Sequence, residues 1–149
     1  MIRNLKREES IPYNLLLLAD ESREAIDKYI YDCEIYVAEL NNAIIAVYAL
    51  QVTNDETVEI KNIAVSEIHQ GKGIGKKLLM NASIRAKENG YRKIIIGTGD
   101  ASIRQLDLYQ KAGFEIFGKK RNFFMDNYTE LIFENGIQLK DMVMLKKLL

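Results

Sequence analysis

The sequence of 149 residues lacks the covalent features that hold many small secreted or metal-bound domains together. Cys33 is its only cysteine, so the chain forms no internal disulfide, and a cysteine-based zinc site would need more ligands. The longest apolar run, Ala43 to Leu50, is far too short to span a bilayer, and the first residues contain no signal-peptide-like apolar stretch. We therefore expect a cytoplasmic protein in a reducing compartment, without a metal ion and without a membrane partner.

An excess of charge of either sign is also missing, because 21 basic residues balance 21 acidic ones. This balance argues against a basic surface for nucleic acid and against a chain that is disordered by its charge. The sequence contains no repeats and no Gly/Ser linker, and Pro12 is its only proline. We expect a single domain over residues 1–149, which is long enough to bury a core without cross-links.

The pattern of apolar residues predicts strands and helices that mix within one sheet. The predicted strands cover residues 34–40, 43–52, 57–65, 93–98, 115–123 and 138–148, the last being preferred to a helix because Met142, Met144 and Leu148 share a period of two. Predicted helices run from Ser22, a plausible N-cap, to about residue 31, from the glycine loop to about residue 89, and from Ser102, which has capping-box spacing with Gln105, to Gly113. Asn41-Asn42 is predicted to form a two-residue hairpin turn, and residues 126–136 a polar connection. The order strand, helix, strand predicts that strands 57–65 and 93–98 run parallel.

A cluster of glycines lies between the third strand and the long helix, in the segment Gln70-Gly71-Lys72-Gly73-Ile74-Gly75. Glycines let the backbone approach a phosphate closely, and the N–H groups at a helix N-terminus favour an anion. Two known phosphate loops do not match. A P-loop would need Ser or Thr at position 77, which is Lys77, and the dinucleotide fingerprint would need a glycine at Lys76 or Leu78. A plain glycine-rich turn remains the alternative.

Two motifs together resemble the Gcn5-related N-acetyltransferase (GNAT) family. The segment Ile63-Ala64-Val65 followed by Gln70 to Gly75 is similar to the family's coenzyme A signature, Gln/Arg-x-x-Gly-x-Gly/Ala after a strand. The segment Leu108 to Phe114 resembles the family's Leu-Tyr-x-Lys-x-Gly-Phe element. The resemblance implies an α+β GNAT fold: a mixed, mostly antiparallel sheet of six to seven strands, flanked by about four helices, with a splayed parallel strand pair that forms the coenzyme A cleft.

The resemblance further implies that acetyl-coenzyme A is the cosubstrate. Backbone N–H groups of the loop would hold its pyrophosphate, and the strand ending at Val65 would bind its pantetheine arm and polarise the thioester carbonyl. Ser102 stands where many relatives have an asparagine that contacts pantetheine, although it could simply cap the following helix. The cofactor-binding residues expected on this basis are Ile63, Ala64, Val65, Gln70, Gly71, Lys72, Gly73, Ile74, Gly75, Lys76, Ser102 and Tyr109.

Tyr109 and Glu59 are the expected catalytic residues. Tyr109 matches the family tyrosine near the sulfur, where it would protonate the departing thiolate; a core tyrosine is the alternative. Glu59 matches the glutamate that acts as base in the histone-acetylating branch, and strand alternation places it on the face of Lys61, Ile63 and Val65. A surface ion pair between Glu59 and Lys61 is the alternative.

Other polar positions near these motifs have simpler interpretations. His69, the only histidine, adjoins the loop and is expected to be a loop residue rather than a base. Asp100 is expected to cap the helix that follows it, with a place in the lining of the acceptor site as the alternative. Gly97 and Gly99 either leave room for a ligand or shape the turn. The acids and aromatics of residues 121–142 would suit a cationic acceptor, although an ordinary amphipathic surface explains most of them.

The resulting hypothesis is an N-acetyltransferase that moves the acetyl group of acetyl-coenzyme A directly to a primary amine of a small molecule or peptide. The alternative is a coenzyme A-binding module without turnover. The resemblance does not identify the amine, and dimerisation is common in the family, so a homodimer stays open.

Overall fold

The structure is a computed structural model that describes residues 1–149, and it contains nine strands and five α-helices. The strands are β1 (Ile2–Asn4), β2 (Glu34–Leu40), β3 (Ala43–Asn54), β4 (Thr57–Val65), β5 (Lys93–Gly99), β6 (Glu115–Lys120), β7 (Phe133–Glu134), β8 (Ile137–Gln138) and β9 (Met142–Leu148). The helices are α1 (Tyr13–Leu16), α2 (Arg23–Asp27), α3 (Ile74–Glu88), α4 (Ile103–Lys111) and α5 (Phe123–Asn127). Short 3-10 turns lie at Ile30–Asp32 and Glu67–His69.

Seven strands form one mixed sheet in the order β1-β2-β3-β4-β5-β9-β6, and β7 and β8 form a separate hairpin. Every neighbouring pair in the large sheet is antiparallel except β4 and β5, which run parallel as the sequence predicted. The predicted α+β fold with a mixed, mostly antiparallel sheet of six to seven strands is therefore confirmed, with five α-helices instead of about four. The C-terminal segment is a strand, as preferred.

Local sequence signals explain where α2 begins and how β2 connects to β3. The Ser22 hydroxyl accepts a hydrogen bond from the Ala25 N–H at 3.1 Å, which confirms Ser22 as the N-cap of α2. That helix is shorter than expected, because a 3-10 turn replaces its second half. Asn41 and Asn42 both have positive φ angles, 51° and 65°, and connect β2 to β3 in the predicted two-residue turn.

Two apolar cores cover the two faces of the sheet. The larger core packs the buried face of α3, including Leu78, Leu79 and Ala82, and the buried residue Tyr109 of α4 against one face. The smaller core packs α1 and α2 against the other face, through residues such as Leu16 and Ile26. Because the helices cover both faces, the sheet is open to a ligand only where neighbouring strands separate.

Such a separation begins at a β-bulge in the middle of β4. Ala49 and Leu50 are consecutive in β3, but they pair with Asn62 and Ile60, so Lys61 is the extra residue. The parallel pairing of β4 with β5 covers Thr57 to Ile60 and stops at the same point. The rest of β4 pairs with β3 alone, which confirms the splayed strand pair.

The bulge also corrects the predicted alternation of β4. Ile60 and Ile63, three residues apart, both pack on the larger core, whereas an unbroken strand would place them on opposite faces. Glu59 pairs with Gln51 and lies on the face of the smaller core. The expectation that Glu59 shares a face with Ile63 and Val65 is therefore wrong, because the extra residue shifts the alternation.

Several elements near the C-terminus differ from expectation. The predicted connection over residues 126–136 contains part of α5, and the hairpin of β7 and β8 turns at Asn135 and Gly136 with φ of 53° and 77°. Strand β6 ends at Lys120 instead of residue 123. A small third core, formed by Ala101, Phe124, Ile132 and Leu139, holds this hairpin beside the start of α4. No helix has the length and apolar character needed to cross a membrane.

Candidate active site

A cleft of about 890 Å³ opens where β4 and β5 separate. Both strands contribute to its walls, together with the glycine loop, α4, α5 and the segment that follows α1. All of the site residues expected from the sequence line this cleft except Lys72, whose side chain is exposed to solvent at the outside of the loop. The structure therefore brings both motifs and both expected catalytic residues to a single site.

The free edge of β4 presents backbone groups to the cleft. The Ser66 N–H donates to the Ile45 carbonyl at 2.7 Å, which sets the alternation of the β3–β4 ladder. In an antiparallel ladder the intervening residues point the other way, so the N–H groups of Ile63 and Val65 face the gap beside β5. The Val65 carbonyl on this edge accepts a hydrogen bond from the Gln70 side chain at 2.9 Å. Gln70 thereby fixes the end of the strand.

The glycine loop supplies a second set of free N–H groups. From Gly71 to Lys76 no backbone N–H has a partner within the protein. Gly71 and Gly73 adopt left-handed φ angles of 77° and 82°, which turn the chain tightly into α3. The Gln70 N–H differs from the others, because it already donates to the Glu67 carbonyl at 3.3 Å. The expectation that loop N–H groups are free for a pyrophosphate therefore applies from Gly71 onwards. The arrangement is suited to an anion at the N-terminus of a 15-residue helix.

Tyr109 lies within the cleft wall, with 6% of its surface exposed. Its ring packs against Phe114 at a centroid distance of 6.4 Å, and its hydroxyl donates no hydrogen bond to the protein. Burial, and secondarily the negative charge of Glu134, raises the pKa of Tyr109 well above its usual range. The phenol therefore keeps its proton at neutral pH and can donate it to a ligand.

Glu59 reaches the cleft from β4 with 14% of its side chain exposed. Its Oε2 lies 3.8 Å from the Lys61 Nζ, so the ion pair considered from the sequence is present. The Lys61 ammonium also lies 5.3 Å from the centre of the Tyr29 ring. Both interpretations of Glu59 thus remain compatible with its position, since a paired carboxylate can still accept a proton.

Ser102 precedes α4 but its side chain makes no cap hydrogen bond, so the predicted capping box with Gln105 is wrong. Its hydroxyl instead donates to the Glu134 carboxylate on β7. The expected capping role of Asp100 is wrong as well, since its two carboxylate oxygens accept from the N–H groups of Lys140 and Asp141 at 3.1 and 3.2 Å. Tertiary contacts with the segment before β9 thus replace local capping.

His69 and the two glycines of β5 also line the cleft. His69 belongs to the 3-10 turn before the loop, as expected of a loop residue, and its Nδ1 is buried without a partner. A methyl group on Gly97 would contact Met142 and Met144, and one on Gly99 would contact Leu139. Close packing of β9 and the preceding loop against β5 therefore explains these glycines.

A polar cluster on the α1 side of the cleft was not expected from the sequence. Tyr29 and Tyr128 both donate to the Asp20 carboxylate, at 3.0 and 2.5 Å. Asn62 donates to the Leu16 carbonyl at 3.0 Å and to the Tyr29 hydroxyl at 3.1 Å, and its buried Oδ1 has no partner. The one sequence signal for this cluster is Asn62, a polar residue that interrupts the apolar end of β4.

No group of three or more His, Cys, Asp or Glu side chains is placed to hold a metal ion.

Comparison with known proteins identifies a family and relatives that match most of the chain. Residues 2–114 match the model of the acetyltransferase (GNAT) family. The chain is 50% identical over 133 residues to a Bacillus subtilis protein named as an uncharacterized N-acetyltransferase, and the match covers 89% of this chain and 86% of the relative. It is 28% identical over 95 residues to an N-acetylaspartate synthetase of Danio rerio, covering 63% of this chain and 34% of that protein.

Solved structures agree over the full length. A GNAT acetyltransferase from Elizabethkingia anophelis with acetyl-coenzyme A bound superposes with a TM-score of 0.98 at 50% identity, covering 100% of this chain and 97% of the other. An IAA acetyltransferase from Bacillus cereus superposes with a TM-score of 0.95 at 47% identity, covering 100% of this chain and 99% of the other. A Bacillus subtilis acetyltransferase in complex with coenzyme A superposes with a TM-score of 0.92 at 47% identity, covering 99% of this chain and 97% of the other.

The left-handed turn of the loop can be tested by replacing Gly73 with alanine. A Cβ on Gly73 would contact nothing within 4 Å, so the cost is backbone strain alone, about 1–2 kcal/mol of unfolding free energy. The control is Gly75→Ala, where φ is not left-handed and the new methyl would lie in ordinary contact with Leu108 at 3.4 Å. Urea unfolding should show Gly73→Ala destabilised and Gly75→Ala unchanged or more stable. Equal stability of the two variants would contradict the turn.

Proposed function

The chain belongs to the GNAT acetyltransferase family, and we propose on that basis that it transfers the acetyl group of acetyl-coenzyme A to a primary amine of a small molecule or peptide. The observation that carries this proposal is the continuity of two sets of free backbone N–H groups. The edge of β4 at Ile63 and Val65 leads directly into the loop from Gly71 to Lys76. One extended ligand with an anionic end suits this arrangement, and residues 1–149 act as one domain.

The free N–H groups from Gly71 to Lys76 bind the pyrophosphate of acetyl-coenzyme A. They carry the positive end of the α3 dipole, and no side chain of the protein competes for them. Lys76 lines the same part of the cleft and adds a positive charge. Lys72 contributes through its backbone N–H, since its exposed side chain lies outside the cleft wall.

The edge of β4 binds the pantetheine arm much as a neighbouring strand would. Ile63 and Val65 offer N–H groups to the amide carbonyls of the arm and to the thioester oxygen, where developing negative charge gains most from a fixed donor. Ala64 lies between them with its side chain in the smaller core, which holds the edge in place. Ser102 lines the opposite wall of the cleft, near the end of the splayed β5.

Tyr109 donates a proton to the leaving group, and Glu59 accepts a proton from the attacking amine. The amine attacks the thioester carbonyl, and the thiolate leaves as the C–S bond breaks. Tyr109 stabilises and protonates that thiolate, and its raised pKa keeps the phenol protonated beforehand. Glu59 takes the proton that the nitrogen loses, directly or through water. The ordered Lys61 beside Glu59 holds this carboxylate in position.

Binding of acetyl-coenzyme A is tested first, and turnover second. Acetyl-coenzyme A at about 100 times its dissociation constant should add roughly 2.7 kcal/mol to the free energy of unfolding, seen as a rise in melting temperature. ATP and NAD serve as controls and should give no comparable shift. Release of free thiol on addition of an amine then separates an enzyme from a module that only binds. No shift with millimolar acetyl-coenzyme A would contradict the proposal.

Tyr109→Phe removes the proposed acid while keeping the ring that packs on Phe114. Loss of a general acid lowers kcat by about 100-fold or more, with little change in the affinity for acetyl-coenzyme A. The matched control is Tyr91→Phe, at a partly buried tyrosine that packs on the same core and does not line the cleft. Steady-state kinetics that show equal kcat for the two variants would assign Tyr109 to the core alone.

Glu59→Gln tests the proposed base without changing the shape of the side chain. We expect kcat to fall by about 100-fold while the KM for acetyl-coenzyme A stays within about twofold. Glu56→Gln, at an exposed position just before β4, is the control and should match the wild type. An unchanged kcat in Glu59→Gln would leave water as the proton acceptor and Glu59 as the ion-pair partner of Lys61.

A further inference from the structure

The hairpin of β7 and β8 places a carboxylate inside the cleft. Glu134 is half-buried and lines the cleft, while its neighbour Phe133 is 58% exposed. A hairpin stabilised by apolar contacts alone would turn the phenylalanine inwards and the carboxylate outwards. The orientation is fixed by Ile132 and Leu139, which pack in the third core and join through a hydrogen bond from the Leu139 N–H to the Ile132 carbonyl at 2.8 Å.

This carboxylate has no positive partner in the protein. Its one hydrogen bond comes from the Ser102 hydroxyl, and it makes no salt bridge. Two cations of the cleft are engaged elsewhere, since Lys61 pairs with Glu59 and the Lys120 ammonium lies 5.8 Å from the centre of the Phe123 ring. A half-buried carboxylate beside apolar side chains is stabilised strongly by an added cation.

Glu134 also lies close to the proposed reaction centre. Tyr109 lies on α4 about two turns after Ser102, the residue that contacts Glu134, and all three side chains line the same cleft. A positively charged group bound at Glu134 would therefore share the cleft with Tyr109, the proposed acid.

We propose that Glu134 binds the ammonium form of the acceptor amine, so that the enzyme selects amines that are cationic at neutral pH. This inference rests on the proposed function and assigns the recognition of the acceptor to the β7–β8 hairpin. The ammonium replaces the missing positive partner of the carboxylate, while the apolar side chains of Phe124 and Leu139 surround the carbon next to the nitrogen. Glu59 then removes the proton before attack.

The experiment measures the KM of two acceptors that differ in charge, each with the wild type and with Glu134→Gln. A primary alkylamine is an ammonium ion at neutral pH, whereas an arylamine is neutral. Loss of a hydrogen bond between charged groups should raise the KM of the alkylamine at least about tenfold in Glu134→Gln, and the KM of the arylamine should stay within about twofold. Glu134→Asp, which keeps the charge, should restore part of the preference.

Two controls keep the outcomes apart. Glu130→Gln removes an exposed carboxylate just before the hairpin and should match the wild type with both amines. The melting-temperature shift with acetyl-coenzyme A should be the same in Glu134→Gln and the wild type, which shows that the variant folds and binds its cosubstrate. Equal changes in KM for both amines, or no change for either, would overturn the role of Glu134 while leaving the acetyltransferase intact. Failure of the wild type to bind acetyl-coenzyme A or acetylate any amine would instead overturn the function on which it rests.

Discussion

The site depends on one extra residue in β4. Lys61 has no partner in β3, so the strand bends there and its parallel pairing with β5 ends at Ile60. Beyond this point β4 keeps its contacts with β3 and its other edge faces a cleft. A sheet covered by helices on both faces has no other place where backbone donors of a central strand reach a ligand. The same extra residue turns Glu59 towards the α1–α2 face, opposite to the face of Ile63.

The rest of the cleft is built around that free edge. Gln70 closes the end of β4 through the Val65 carbonyl, and the turn at Gly71 and Gly73 directs the unpartnered N–H groups of the loop to the same side. Helix α4 brings Tyr109 from the other wall. In the proposed complex, backbone groups therefore make most of the contacts to both ends of acetyl-coenzyme A, whereas the proposed chemistry depends on a few side chains. Backbone recognition tolerates a change of side chains around it, which explains why one fold accommodates different acceptors.

Local signals in the sequence predicted much of this fold. The strands at residues 34–40 and 57–65, the Asn41-Asn42 turn, the Ser22 cap and the long helix after the loop follow from period, turn residues and caps, which act between near neighbours. The bulge was missed although Glu59 to Ile63 breaks strict alternation at the consecutive polar residues Lys61 and Asn62, because only the pairing with β3 identifies Lys61 as the extra residue. The contact of Ser102 with Glu134 was missed for the same reason, since 32 positions separate them. The Asn135-Gly136 pair, in contrast, was a hairpin signal that could have been used.

Binding of the proposed cosubstrate through backbone N–H groups is tested most directly by amide hydrogen exchange, measured residue by residue by NMR. With saturating acetyl-coenzyme A, the amides of Ile63 and Val65 and those from Gly71 to Lys76 should exchange more slowly, because each gains an acceptor that the free protein lacks. The amides of Asn62 and Ala64, which face β3, should change little. Protection confined to other parts of the chain, or equal protection along all of β4, would contradict a cosubstrate bound at the splayed edge.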